Sequence, residues 1–139
     1  MNYWDGENWL EVKKDDISIR YYLNGELHRK DGPAEIWRNK HSGYIRAKYY
    51  YLNGKLHREN GPAEIWYYAN GNIKLEQYYY NDKKHNINGP SFIIYYEDSN
   101  IKLQRYYFNG IKFNPDNLPF KFPIDTEEKR FMFQLKYGI

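Results

Sequence analysis

The chain is 139 residues long, carries a formal charge of +3, and is 28% charged and 20% aromatic, with 17 tyrosines and no cysteine. That length supports one domain, 1–139, and the absent cysteine removes disulfides, thiolate nucleophiles and cysteine metal sites. No apolar run nears the roughly 20 residues a membrane helix needs, and Met1-Asn2-Tyr3-Trp4-Asp5 lacks a signal-peptide pattern, so a cytoplasmic protein is the expectation.

Residues 1–16 set Trp4, Trp9, Leu10 and Val12 among acids and amides, and read as an N-terminal cap that folds over the first edge strand. From 17 to 113 the chain repeats itself. Tyr22-Leu23-Asn24-Gly25, Leu27-His28-Arg29 and Gly32-Pro33-Ala34-Glu35-Ile36-Trp37 return as Tyr51-Leu52-Asn53-Gly54, Leu56-His57-Arg58 and Gly61-Pro62-Ala63-Glu64-Ile65-Trp66. A weaker third copy has Tyr79-Tyr80-Asn81-Asp82, His85 and Gly89-Pro90-Ser91, and a fourth begins at Tyr107-Phe108-Asn109-Gly110. The turn asparagines at 24, 53, 81 and 109 set intervals of 29, 28 and 28 residues. A fixed period of this size means stacked supersecondary units that share one core.

Each unit reads as a long strand, a tight Asn-Gly turn and a shorter second strand opened by Gly-Pro. Along the long strands Ile45, Ala47, Tyr49 and Tyr51, then Ile73, Leu75 and Tyr79, then Ile101, Leu103 and Tyr107 fall on one face by alternation. Arg46, Lys48, Lys74, Glu76, Lys102 and Gln104 fall on the other. Both residues of Asn-Gly accept positive φ, and proline at a strand's first residue costs no ladder bond. The first copy is one residue short between Ile17 and Tyr21, so either it lacks a bulge found in the others or its early residues face the other way. Residues 114–139 form a proline-punctuated loop and then a helix. Thr126 is its expected N-cap, and Phe131, Leu135 and Met132 are its expected apolar stripe. The fold class expected is all-β: an antiparallel meander of about 3.5 repeats and about seven to nine strands, with a C-terminal capping helix.

The string Tyr-x-Asn-Gly-x-x-His-Arg-x-x-Gly-Pro-Ala-x-Ile, with a later Asn-Gly-x-Ile, resembles the MORN-repeat variant over about residues 17–113. That variant occurs in antitoxin-like bacterial proteins and in phage and giant-virus proteins. The resemblance implies an extended β-meander with a scaffold or binding role. The third copy departs from it at Asp82, Asn86 and Ser91.

His28, His57 and His85 recur at the repeat period, so neighbours lie two strands, about 10 Å, apart. One zinc holds its nitrogens at about 2 Å, so the three cannot converge, and each is expected to tie its own turn to local backbone. No metal or cofactor site is read from the sequence. Ser18, Ser42, Ser91 and Ser99 have no nucleophile elbow, and Glu35 and Glu64 repeat on the same lattice, so the expectation is no enzyme.

What remains is surface. Trp37, Trp66 and Ile94 form a second apolar row that a single-layer sheet cannot bury against itself. Either the terminal caps cover it, with arginine or lysine stems on the rings, or it docks a partner. The candidate partner-binding residues are Trp37, Trp66, Tyr68, Ile94, Tyr96, Arg46, Lys48, Lys74 and Lys102. The expectation is a non-enzymatic macromolecule-binding protein with a protein partner. The resemblance adds an inhibitor or antitoxin-like role, in its specific form phage-encoded, acting in the host cytoplasm and aimed at a bacterial defence nuclease. The alternatives are RNA or single-stranded DNA held on a Tyr/Arg/Lys sheet face, and a membrane-surface scaffold without a membrane span.

Overall fold

The computed structural model describes residues 1–138. Among the described residues fifteen strands precede a 3-10 turn at Pro115–Asn117 and one α-helix. They are β1 (Asn2–Trp4), β2 (Trp9–Lys14), β3 (Ser18–Leu23), β4 (Glu26–Leu27), β5 (Glu35–Arg38), β6 (Ile45–Tyr49), β7 (Tyr51–Leu52) and β8 (Lys55–Leu56). Then come β9 (Glu64–Tyr67), β10 (Ile73–Gln77), β11 (Tyr79–Tyr80), β12 (Lys83–Lys84), β13 (Phe92–Tyr95), β14 (Ile101–Phe108) and β15 (Ile111–Phe113), with α1 at Glu127–Tyr137. The main sheet is an antiparallel meander in the order β1-β2-β3-β5-β6-β9-β10-β13-β14-β15, and β4 pairs with β3 beside it. The count exceeds the seven to nine strands read from the repeats. Residues 1–16 do not fold over the first edge but add β1 and β2 to it, because Trp9–Lys14 can satisfy its backbone on β3.

Each long strand changes partner at one tyrosine. Tyr21, Tyr50 and Tyr78 donate their N–H to the carbonyls of Ala34, Ala63 and Ser91 in the second strand. Their own carbonyls accept from the N–H of His28, His57 and His85 in the turn ribbon. The ribbons β7-β8 and β11-β12 therefore peel away from the sheet as separate two-stranded pieces. Asn24 and Gly25 have φ of 52° and 81°, the left-handed pair a two-residue hairpin turn requires. Asp82 adopts φ 68° in glycine's place, and its Oδ1 accepts the Leu56 N–H at 2.7 Å. The side chain thus gains a bond across the ribbons where glycine would have relieved the backbone.

The length difference of the first copy is a missing bulge. The β3-β5 register runs without a break, whereas β5-β6, β9-β10 and β13-β14 each shift by one residue. The extra residues are Arg46, Lys74 and Lys102, which the bulge removes from strict alternation.

The sheet's two faces are unlike. On one, Arg29 stacks on Tyr21 at 4.3 Å and Arg58 on Tyr50 at 3.9 Å as the Gly-Pro loops fold back. On that face α1 covers the last hairpin, packing Phe133 against Phe108 and Phe113 with Ile124 beside them. The stripe of α1 differs from the expected one. Phe133 is 0% exposed and Met132 and Tyr137 are partly buried, while Phe131 (59%) and Leu135 (69%) point to solvent. The docking partner, two phenylalanines of the final hairpin, decides which of the helix's apolar residues turn inward. Thr126 caps it by accepting from the Lys129 N–H, and Gly138 closes it at φ 73°.

Candidate binding face

Among the described residues no element covers the opposite face of the sheet. Cross-strand pairing puts Ser18, Trp37, Ala47, Trp66, Leu75, Ile94 and Leu103 in one row across it. Small residues alternate with the two tryptophans, so Ser18 and Ala47 are buried beneath their larger neighbours. Beside it runs a second row, Arg20, Glu35, Tyr49, Glu64, Gln77, Phe92 and Arg105. Trp9 lies in alternation with Glu11 and Lys13, which pair with Tyr22 and Arg20, and Trp4 is its direct partner. All four tryptophans of the chain therefore stand on one face. Trp4 is 48% exposed, Trp9 67% and Trp66 39%.

The terminal caps do not cover this row, which corrects one of the two sequence readings. The N-terminal strands extend the sheet sideways, and α1 chose the other face because Phe108 and Phe113 offered it a larger apolar seat. The expectation of an arginine on the ring is met at Trp37, where the Arg20 guanidinium lies 4.8 Å from the indole while bonding Glu35 at 2.9 Å. Trp66 instead donates Nε1–H to the Tyr49 hydroxyl at 3.1 Å.

Around Trp66 burial works against charge on the polar groups. Burial raises the Glu64 carboxyl above the usual carboxylate range, partly countered by the Gln77 amide that donates to it at 3.1 Å. Burial, with Glu35 and Glu64 near Tyr51 and Glu64 near Tyr79, pushes both phenols up to about 12. They remain hydrogen-bond donors at neutral pH. The face thus presents flat aromatic rings with phenol donors and the Arg20–Glu35 ion pair beside them.

The nine residues singled out from sequence divide. Trp37, Trp66 and Ile94 share the open face. Lys48 sits on the covered face with Ile36 and Ile65, its Nζ 5.5 Å from the Tyr67 ring. Arg46, Lys74 and Lys102 are the bulge residues and are exposed. Lys74 lies over Tyr68 at 5.6 Å and Lys102 over Tyr96 at 5.7 Å, so those tyrosines join the bulge ladder rather than the tryptophan row. Trp4 and Trp9 were absent from the expected set. Their alternation in a Trp-Leu-Glu-Val-Lys-Lys strand carried the signal, but the face it shared with Trp66 depended on a pairing register.

The histidines do not tie their own turns. Nδ1 of His28, His57 and His85 accepts the backbone N–H of Asn53, Asn81 and Asn109 at 3.0, 3.2 and 3.0 Å, each in the next repeat. The ribbons stack closely enough that the nearest free N–H belongs to the neighbour. His28 Nε2 is buried 3.9 Å from the Asp5 carboxylate. Among the described residues no group of three or more His, Asp or Glu is placed to hold a metal ion, and no helix is long and apolar enough to cross a membrane. Compared with protein-family models, curated proteins and solved structures, the chain matches none.

Proposed function

We propose that this chain is a non-enzymatic protein-binding module of MORN-variant build, an inhibitor or antitoxin-like protein acting in the cytoplasm, whose partner docks on the tryptophan face. The observation that carries this reading is the placement of all four tryptophans on the face that no element among the described residues covers. Large rigid aromatic residues with polar edges are what protein interfaces concentrate at their centres. A sheet that buries only one side leaves such rings in water unless something docks there. The phage-encoded form, directed at a bacterial defence nuclease, rests on the repeat resemblance alone.

The test is retention of a partner, identified by mass spectrometry, by wild type and by Trp66→Ala. The variant is expected to weaken binding by about 2 kcal/mol or more, roughly thirtyfold, while remaining folded, because Trp66 is 39% exposed. Binding should also change little between about 50 and 200 mM salt. Undiminished retention by Trp66→Ala refutes the reading. Retention that nuclease abolishes, and that falls steeply with salt, transfers it to single-stranded nucleic acid on the Arg46, Lys74 and Lys102 ladder.

A further inference from the structure

On the covered face the third repeat breaks a pattern that the first two keep. In those, an arginine both donates to the Gly-Pro loop and lays its guanidinium on a tyrosine ring: Arg29 on Tyr21 and Arg58 on Tyr50. In the third, Asn86 keeps the loop bond, its Nδ2 donating to the Pro90 carbonyl at 3.0 Å. Asparagine is too short to reach over the ring, and among the described residues no cation covers Tyr78. The space left above it belongs to a cavity of about 1000 Å³, against about 510 Å³ for its counterpart one repeat earlier. Gly61, Gly89 and the last hairpin shape its sides, and Arg130 of α1 borders it.

The lining has a definite chemistry. Two guanidinium groups, Arg58 and Arg130, face one carboxylate, Glu59, so the cavity is net positive among the described residues. Among the described residues Arg130 has no carboxylate within ion-pair distance, and Arg58 spends one of its five N–H donors on the Pro62 carbonyl. Tyr78 lines the cavity at the position where Tyr21 and Tyr50 each carry a guanidinium, and Tyr80, 46% exposed, lines it as well. The Asn86 amide lies among them, able to donate and accept. A planar group suits the ring and an anionic one suits the charge. A guanidinium, the group the other repeats place there, would meet two of its own kind.

We propose that this cavity binds a nucleotide, its base on Tyr78 and its phosphate on Arg130 and Arg58. Base–aromatic stacking and arginine–phosphate pairing are the two interactions that hold single-stranded nucleotides elsewhere, and the volume suits a ligand of that size. The site lies on the face opposite the tryptophans, so it stands or falls apart from the protein-binding reading.

Titration calorimetry on the full chain decides it, with AMP, adenosine, inorganic phosphate, N-acetylarginine amide and a single-stranded DNA of about eight nucleotides as probes. AMP should saturate below millimolar concentration, with adenosine and phosphate each at least about tenfold weaker. Arg130→Gln, on an exposed helix position, should weaken AMP about tenfold. Asn86→Arg restores the repeat's own guanidinium over Tyr78 and should abolish binding while the melting temperature holds or rises. An oligonucleotide more than about tenfold tighter than AMP, and lost in the same variants, identifies a nucleic-acid strand as the source; equal affinity identifies the free nucleotide. The proposal is overturned if neither AMP nor the oligonucleotide gives saturable heat, or if Asn86→Arg and Arg130→Gln bind as wild type. It is also overturned if phosphate or N-acetylarginine amide binds as tightly as AMP.

Discussion

Replacing His57 tests whether the histidines join one repeat to the next. The ring is 7% exposed, packs 4.4 Å from Tyr80 and accepts the Asn81 N–H at 3.2 Å. His57→Phe keeps a ring in the space and removes the acceptor, so it isolates the hydrogen bond, worth about 1 kcal/mol net. His57→Ala also opens a void beside Tyr80, adding about 1–2 kcal/mol, for a total of about 2–3 kcal/mol. Urea unfolding at neutral pH measures both totals. Amide exchange by NMR then locates the effect. In either variant the Asn81 amide should exchange faster, while the Asn53 amide, held by His28 at 3.0 Å, should keep its protection. Faster exchange at Asn53 with Asn81 unchanged would refute the inter-repeat link and return each histidine to its own turn.

Glu64 and the two helix phenylalanines give further checks. The folded Glu64 carboxyl titrates above its unfolded value of 4.5 because it is buried, so the native state binds more protons in that interval. Its presence therefore lowers stability as pH rises through the window above 4.5. Glu64→Gln, which still accepts from Gln77, should raise the melting temperature by a few degrees at pH 7, and the gain should vanish below about pH 4.5. A variant that melts lower than wild type at pH 7 would contradict this. Phe133→Ala should cost about 3–5 kcal/mol, since the ring meets Phe108, Phe113 and Tyr137 at 4.8, 5.2 and 4.5 Å. Phe131→Ala, two residues away and facing water, should stay within about 0.5 kcal/mol in the same unfolding assay.

The repeat itself was legible because its grammar is local. An Asn-Gly turn needs two left-handed residues, Gly-Pro can open a strand but not sit inside one, and alternation around Ala47 or Leu75 marks a half-buried strand. These rules act within a few residues, so the meander, the turns and the N-cap at Thr126 follow from sequence order. The residue missing from the first copy was visible too, and its two explanations separated once β3 paired with β5 without a shift.

The binding face depended on longer-range facts. Trp9 joins Trp66 through a chain of registers across β2, β3, β5, β6 and β9, and a slip of one residue in any of them would have turned Trp9 to the other side. Which N–H each histidine accepts was decided by how closely neighbouring ribbons stack, and which helix face is buried was decided by Phe108 and Phe113. The sequence by itself determined the repeating unit, its turns and its strand alternation, since those follow from φ preferences and the two-residue period of a strand. Only the tertiary structure decided that the caps leave the tryptophans uncovered and that Asn86 leaves a cavity over Tyr78. Both are matters of what remains unfilled after packing, and no local rule counts that.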